Sequence, residues 1–339
     1  MQANPLITIM IPTYNVESEY LIKCLDSVIC QSYNNIEILI IDDNSSNRDV
    51  LYIIDEYKQK DNRITLVKKN QNDGVSITRK QGAEIAKGEY IMYLDCDDFL
   101  VDDCIELLLN KSISTDADIV IGDFWMTYET FKIYISHSID ENDEQGYLMA
   151  LLTYKCGGTI WAKLIKKDLI NKIPYPTFPK LCNDVFVNFH IAIYPNINIV
   201  CLKKPVYNWV QRETSVMHTK SKLLLNHDLE LIKEVDKLVE NHKNSEKFKK
   251  ELMLYKLGFW SLLLSYGIEY NSSNKILRKE IYSICMKNKW AMSHLKPSLK
   301  MVLMINRYMF TRFLYLIYMK TLKIFLKNNC LKLYKKIFK

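Results

Sequence analysis

Five short apolar runs, alternating with stretches of helical spacing, constrain what the first 125 residues can fold into. The runs are Leu6–Pro12, Ile36–Ile41, Ile64–Val67, Tyr90–Leu94 and Ile119–Phe124. Between them, residues 17–31 place apolar side chains at Tyr20, Leu21, Cys24, Leu25, Val28 and Ile29, a helical repeat, and residues 49–60, 76–86 and 102–110 also suit helices. Strands that alternate with helices every 20–30 residues predict an α/β fold, a mostly parallel, Rossmann-like sheet covered by helices on both faces. In such sheets ligands sit beyond the carboxyl ends of the strands. The polar clusters fall there: Thr13-Tyr14-Asn15, Asp42-Asp43 and Asp95-Cys96-Asp97-Asp98.

The later chain reads less regularly. Residues 125–150 form a polar loop or edge hairpin with an acidic run. Residues 161–171 and 184–194 read as helices, 172–182 as an extended loop, and Ile197–Leu202 and Val206–Val210 as strands. From about 221 onward the pattern is helical. Two domains are expected, 1–220 and a helical, basic 221–339. Charge separates them: 22 basic and 30 acidic side chains in the first, 24 and 9 in the second, within a chain of net charge +7. Such polarity fits an acidic part able to hold a divalent cation and a basic part meeting an anionic surface. Nine cysteines without CxxC spacing argue against a zinc ribbon and for reduced thiols, hence a cytoplasmic setting.

Asp95, Asp97 and Asp98 are delivered by the end of one strand. Clustered carboxylates repel one another unless screened. Hard oxygens suit Mg²⁺ or Mn²⁺ bridging to a diphosphate. The alternative is that these residues cap the following helix. Five segments occur in order: Ile11-Pro12-Thr13-Tyr14-Asn15, Ile41-Asp42-Asp43-Asn44-Ser45, the stretch from Gly74 to Gly82, Lys87-Gly88-Glu89-Tyr90-Ile91, and Leu94-Asp95-Cys96-Asp97-Asp98. Together they resemble the family 2 glycosyltransferases of the GT-A fold over residues 5–125, and more loosely through Trp161-Ala162-Lys163, Asn183-Asp184 and Val206-Tyr207 to Ser215.

The resemblance implies a GT-A fold with a helical C-terminal extension, and roles for single residues. Pro12, Thr13 and Tyr14 match the stretch contacting base and ribose of a nucleotide-sugar. Asp43 matches an aspartate accepting from uracil, which favours a UDP-sugar. Arg79 and Arg212 match basic positions near the diphosphate. Asp95 and Asp97 match the DxD motif, Asp97 as metal ligand and Asp95 nearer the ribose or a metal-bound water, with Asp98 structural. Asp184 matches the catalytic base; Asn183 stands where the family usually has Glu, a departure. Asp184 also suits a helix N-cap. Trp161 and Lys163 match a segment near the acceptor, although Trp161 equally suits a core. His218 is a candidate third metal ligand.

The implied activity is inverting, metal-dependent transfer of a hexosyl or N-acetylhexosaminyl group to a saccharide or lipid-linked acceptor in bacterial surface-glycan synthesis. In residues 299–339, Arg312, Lys320, Lys323 and Lys327 share a helical face opposite apolar residues. That pattern predicts contact with an anionic membrane surface at the inner face of the cell membrane; packing against the catalytic domain is the alternative. No nucleic-acid partner is expected. Two other classes compete: a non-catalytic GT-A-like binding protein, hinted at by Asn183, and a Rossmann-type oxidoreductase, disfavoured because no GxGxxG follows the first strand.

Overall fold

A computed structural model describes residues 4–175, 183–212 and 222–266, with side chains for all of these but 183, 222–229 and 260–266. Ser215, His218 and the basic stretch 299–339 lie outside the described residues. The chain divides into two compact units, Met1–Met253 and Leu254–Lys339.

In the first unit β1 (Ile7–Thr13), β2 (Ile36–Asp42), β3 (Ile64–Lys68) and β4 (Tyr90–Tyr93) form the parallel half of a nine-stranded sheet, in the order β3-β2-β1-β4. All seven residues of β1 and of β2 are buried, as continuous apolar runs covered on both faces require. Ile7, Ile9 and Ile11 pack under α1 (Ser18–Ile29), α2 (Arg48–Lys60) and α4 (Cys104–Thr115) through Leu21, Leu25, Ile54, Ile105 and Leu108. Met10 faces α3 (Val75–Ile85) on the other side; a Cβ at Gly82 would fall 2.5 Å from its Cε and 2.7 Å from its Cγ, so any larger residue there requires Met10 to shift. Register then decides where the strands end. Thr13 pairs with Asp42 and Met10 with Tyr93, which brings the three polar clusters to one edge.

The second half of the sheet is mixed rather than parallel. Its strands are β8 (Lys163–Lys166), β6 (Ile119–Thr127), β9 (Ile199–Val210) and β5 (Phe99–Leu100), in that order, with β7 (Lys132–Ile135) paired to β6. β8 corrects the helix expected over 161–171. Leu164 and Ile165 are buried between β4 and β6, and the strand runs antiparallel to both. A helix there would strand the ladder groups of two neighbours. Ala162, at φ 56°, also breaks the helical backbone, and only α6 (Lys167–Ile170) remains helical. The two strands expected at 197–210 are one strand, β9, whose register against β6 shifts around Asp123.

The polar stretch 125–150 contains the β6–β7 hairpin and also α5 (Gly146–Leu152), which pattern reading missed. After α7 (Asn183–Ile193), α8 (Lys222–Glu240) and α9 (Ser245–Tyr266) follow. α8 buries Leu231, Ile232, Val235 and Val239 within the first unit, which therefore extends beyond residue 220.

The turn after β7 is closed by buried polar groups. Asp123 accepts from the His137 backbone N–H at 2.7 Å and from the Tyr134 hydroxyl at 2.5 Å. The His137 ring is buried, and its Nδ1 accepts from Gly157 N at 3.3 Å, so the neutral ring carries its proton on Nε2. Burial, reinforced by Lys163, pushes the His137 pKa down to about 4. The unfolded chain therefore binds a proton below about pH 6.5 that the folded chain refuses until about pH 4. Stability contributed at neutral pH is lost as pH falls through that window, up to roughly 3 kcal/mol. Denaturant unfolding at pH 7 and pH 5 should show this loss in the wild type and a flatter dependence in His137→Gln; equal slopes would refute it.

Candidate active site

Three loops at the strand ends are tied together by short polar side chains. Asn15 follows β1 at φ 47°, a left-handed conformation asparagine tolerates. Its Oδ1 accepts from the backbone N–H groups of Ser46 (2.8 Å) and Asn47 (3.0 Å), and its own N–H donates to Ser45 Oγ, so the β1 and β2 loops move as one. Asp43 is buried. It accepts from Asp73 N (3.1 Å) and Gly74 N (2.8 Å) and pairs with Lys69 Nζ at 2.6 Å. Gly74 opens α3 at φ 89°, where a side chain would be strained. Asp43 thereby fixes the start of the helix that carries Arg79. Pro12 and Thr13 are buried at the end of β1, and Tyr14 beyond them is 49% exposed.

Arg79 is the centre of the arrangement. It is 4% exposed, yet one guanidinium nitrogen, Nη2, meets Asp95 Oδ1 at 2.6 Å and the other, Nη1, meets Asp184 Oδ1. Burial opposes its charge, but Asp184 and Asp95 outweigh that and hold the guanidinium firmly protonated. Asp184 lies in the first turn of α7, and its second oxygen accepts from Ile160 N at 3.1 Å. Asn188, fully buried one turn on, donates to the carbonyls of Gly158, Thr159 and Asp184, locking that loop to the helix. Beneath Arg79 the Tyr93 hydroxyl bonds the Tyr175 hydroxyl at 2.6 Å, and burial pushes the Tyr93 pKa up to about 12.

Asp97 points elsewhere. It pairs with Arg212, which also approaches Glu17 at 3.8 Å and lies 4.8 Å over the Tyr20 ring. Asp98 is buried and accepts from the Tyr207 hydroxyl (2.8 Å) and Val210 N (2.7 Å), which fastens β9 under the loop. Burial raises its pKa far above the carboxylate range. Burial also raises Asp95, against the pull of Arg79. The Cys96 thiol between them packs against the core and is pushed by burial to about 12, so it stays protonated at neutral pH.

Trp161 sits in the core with its indole stacked on Tyr207, centroids 4.6 Å apart. Lys163 is fully buried, donates to the Thr159 carbonyl, and has its pKa lowered by burial. Neither side chain faces an open surface here. Sequence reading did not single out Lys69, Asn188 or the Ile160 N–H, and it placed Tyr207 in a matching segment without a role. Their defining partners lie mostly far off in the chain, from 24 residues for Ile160 N to 112 for Tyr207, which no local signal announces.

No group of three or more His, Cys, Asp or Glu placed to hold a metal occurs among the described residues. The pair Asp95 and Asp97 does fit a hard cation. Each side chain is about 30% exposed, and Asp95 Oδ2 and Asp97 Oδ1 have no partner among the described residues. One or two carboxylates completed by substrate phosphates suffice for Mg²⁺.

The α/β sheet and its flanking helices have the GT-A fold. The model of the family described as glycosyl transferase family 2 matches residues 8–174, just under half of the chain, and supports its reading as a glycosyltransferase of that family. EpsH of Bacillus subtilis (strain 168), named as a glycosyltransferase, is 27% identical over 256 residues, 73% of each chain. The glycosyltransferase GlyG of Streptococcus pneumoniae serotype 4 is 28% identical over 66% of this chain and 77% of its own. Residues 1–349 of Staphylococcus aureus TarS, solved with UDP-GlcNAc, superpose with a TM-score of 0.67 at 17% identity, covering 89% of this chain and 87% of that one. The protein is thus an enzyme of the glycosyltransferase class.

Arg79→Met should leave Asp95 and Asp184 facing each other without a counter-charge. A loss of about 2 kcal/mol in unfolding free energy is expected, below the full buried-pair value because both carboxylates reach solvent. Arg79→Lys should recover only part, since an ammonium cannot fork to both. Unchanged stability in Arg79→Met would show that the bridge holds nothing together.

Proposed function

We propose that this enzyme transfers a sugar from a UDP-sugar to a hydroxyl of a saccharide or lipid-linked acceptor, in one inverting displacement, within surface-glycan synthesis. The observation that carries the reading is the shared guanidinium. Arg79 holds Asp184, the proposed base, and Asp95, on the donor side, in one hydrogen-bonded unit. Asp184 takes the acceptor hydroxyl proton while that oxygen attacks the anomeric carbon from the face opposite the diphosphate. The bond from that carbon to the diphosphate oxygen breaks, and its electron pair leaves with UDP. Asp97 and Asp95 would hold Mn²⁺ or Mg²⁺, which supplies positive charge to the departing diphosphate. Arg212 lies beside Asp97 to add to it.

Asp43 supports a uracil base. A carboxylate has about four acceptor sites. Lys69, Asp73 N and Gly74 N take three, and an imide N–H suits the fourth. TarS with UDP-GlcNAc supports the donor class, and a mannosyltransferase of Pyrobaculum calidifontis with GDP-Man and Mn²⁺, TM-score 0.55 at 14% identity, supports the metal. Asn183 lacks the carboxylate usual at that place, so Asp184 serves as base unaided. Tyr14 remains a proposed donor-side residue, while Trp161 and Lys163, buried on Tyr207 and the Thr159 carbonyl, bear on the acceptor side only as packing beneath the Asp184 loop.

No described helix is long and apolar enough to cross a membrane. The stretch 299–339 is proposed to lie peripherally on the inner face of the cell membrane through its lysines.

Asp184→Asn should keep UDP binding with Mn²⁺ and lose transfer by at least ~10². Turnover near wild type would eliminate Asp184 as the base. In a flotation assay, Arg312→Glu/Lys320→Glu/Lys323→Glu/Lys327→Glu should detach the protein from phosphatidylglycerol vesicles; persistent flotation would remove the tail from the account.

A further inference from the structure

The mouth of the site carries two cations that the reaction does not use. Lys23 projects from α1 and Lys132 from β7, and both reach the same ring. Lys23 Nζ is 3.9 Å and Lys132 Nζ 5.3 Å from the Phe99 centroid, so the two ammonium groups are within about 9 Å of each other. Both lysines are exposed. Among the described residues neither has a carboxylate within ion-pair distance. Among the described residues Lys132 has one polar partner, Asn208 Oδ1 at 2.8 Å, and Lys23 has none. Glu19, one turn before Lys23, does not pair with it. Burial of its stem lowers the Lys132 pKa, and Lys23 lowers it further.

Two like charges gathered on one ring repel each other, and the ring quadrupole offsets that only in part. The arrangement becomes favourable when an anion lies between them. Its position adds direction. Phe99 directly follows Asp98, and Lys23 is one turn from Tyr20, the ring beneath Arg212. Arg212 over Tyr20, and Lys23 and Lys132 over Phe99, thus set three cations on aromatic floors, linked in the chain by α1 and by residues 97–99. The geometry points to an anion subsite formed by Lys23, Lys132 and Phe99 that binds a phosphate group carried by the acceptor. The site itself stands on the lysines; only the assignment of its phosphate to the acceptor rests on the proposed glycosyl transfer.

Site-resolved lysine acetylation of the full chain, read by mass spectrometry, tests this with two probes. Sodium tripolyphosphate presents soluble phosphate, and phosphatidylglycerol vesicles present a lipid headgroup, with phosphatidylcholine as blank. One probe should slow acetylation of Lys23 and Lys132 by at least about threefold while sparing Lys155 and Lys172, which are exposed elsewhere. The protecting probe identifies whether the phosphate is soluble or membrane-borne. Lys23→Ala should abolish protection at Lys132, because the anion needs both. Protection by neither probe, equal protection of Lys155 and Lys172, or protection of Lys132 surviving in Lys23→Ala would overturn the proposal. So would protection of the pair by UDP with Mn²⁺, which would fold it into the donor site. UDP titrated with Mn²⁺ onto the wild type is read separately: no UDP binding would sink the glycosyl-transfer reading and leave the lysine result standing.

Discussion

A guanidinium buried between two carboxylates is the interaction on which the rest depends. Arg79 is taken out of water at a cost that only opposite charge can offset, and Asp95 and Asp184 supply it from different parts of the chain. The Arg79 helix is set by Gly74 and Asp43, the Asp95 loop by β4 and Asp98, and the Asp184 helix by Asn188 and Ile160. Three elements that share no local contact are therefore obliged to meet at one planar group. Arginine suits the task because its fork reaches two partners at once.

The same logic spreads across the mouth. The acidic strand ends would repel one another if left bare. Instead each carboxylate has its own compensation: Asp43 has Lys69 and two backbone N–H groups, Asp97 has Arg212, and Asp98 is buried on Tyr207 and Val210. The outer edges of Asp95 and Asp97 stay open toward solvent, where the proposed cation and donor phosphates would complete the set. Among the described residues, Lys23 and Lys132 carry charge with no carboxylate at ion-pair distance.

The β1–β4 half was legible because both its signals are local. Apolar runs of strand length and helical repeats need no partner to be recognised, and the carboxyl-end clusters followed from them. Motif order in the sequence named Asp43, Arg79, Asp95, Asp97 and Asp184. β8 was misread because Trp161–Asn171 has helical spacing, and only the unpaired edges of β4 and β6 make it a strand. Trp161 was open to two readings, and its place against Tyr207 depends on β9, a strand distant in the sequence. Asn188 carries no distinguishing pattern, and Tyr207 was matched as a segment without a role, since each is defined by what it touches.

What the sequence by itself determined is the alternation of strands and helices and the inventory of charges at the strand ends, because periodicity and residue type act over a few positions. Tertiary structure alone decided that Arg79 joins Asp95 to Asp184, that Arg212 sits on Asp97, and that the sheet turns mixed after β4. Those outcomes depend on burial and hydrogen-bond demand between segments distant in the chain, and such demands exist only once the segments have met.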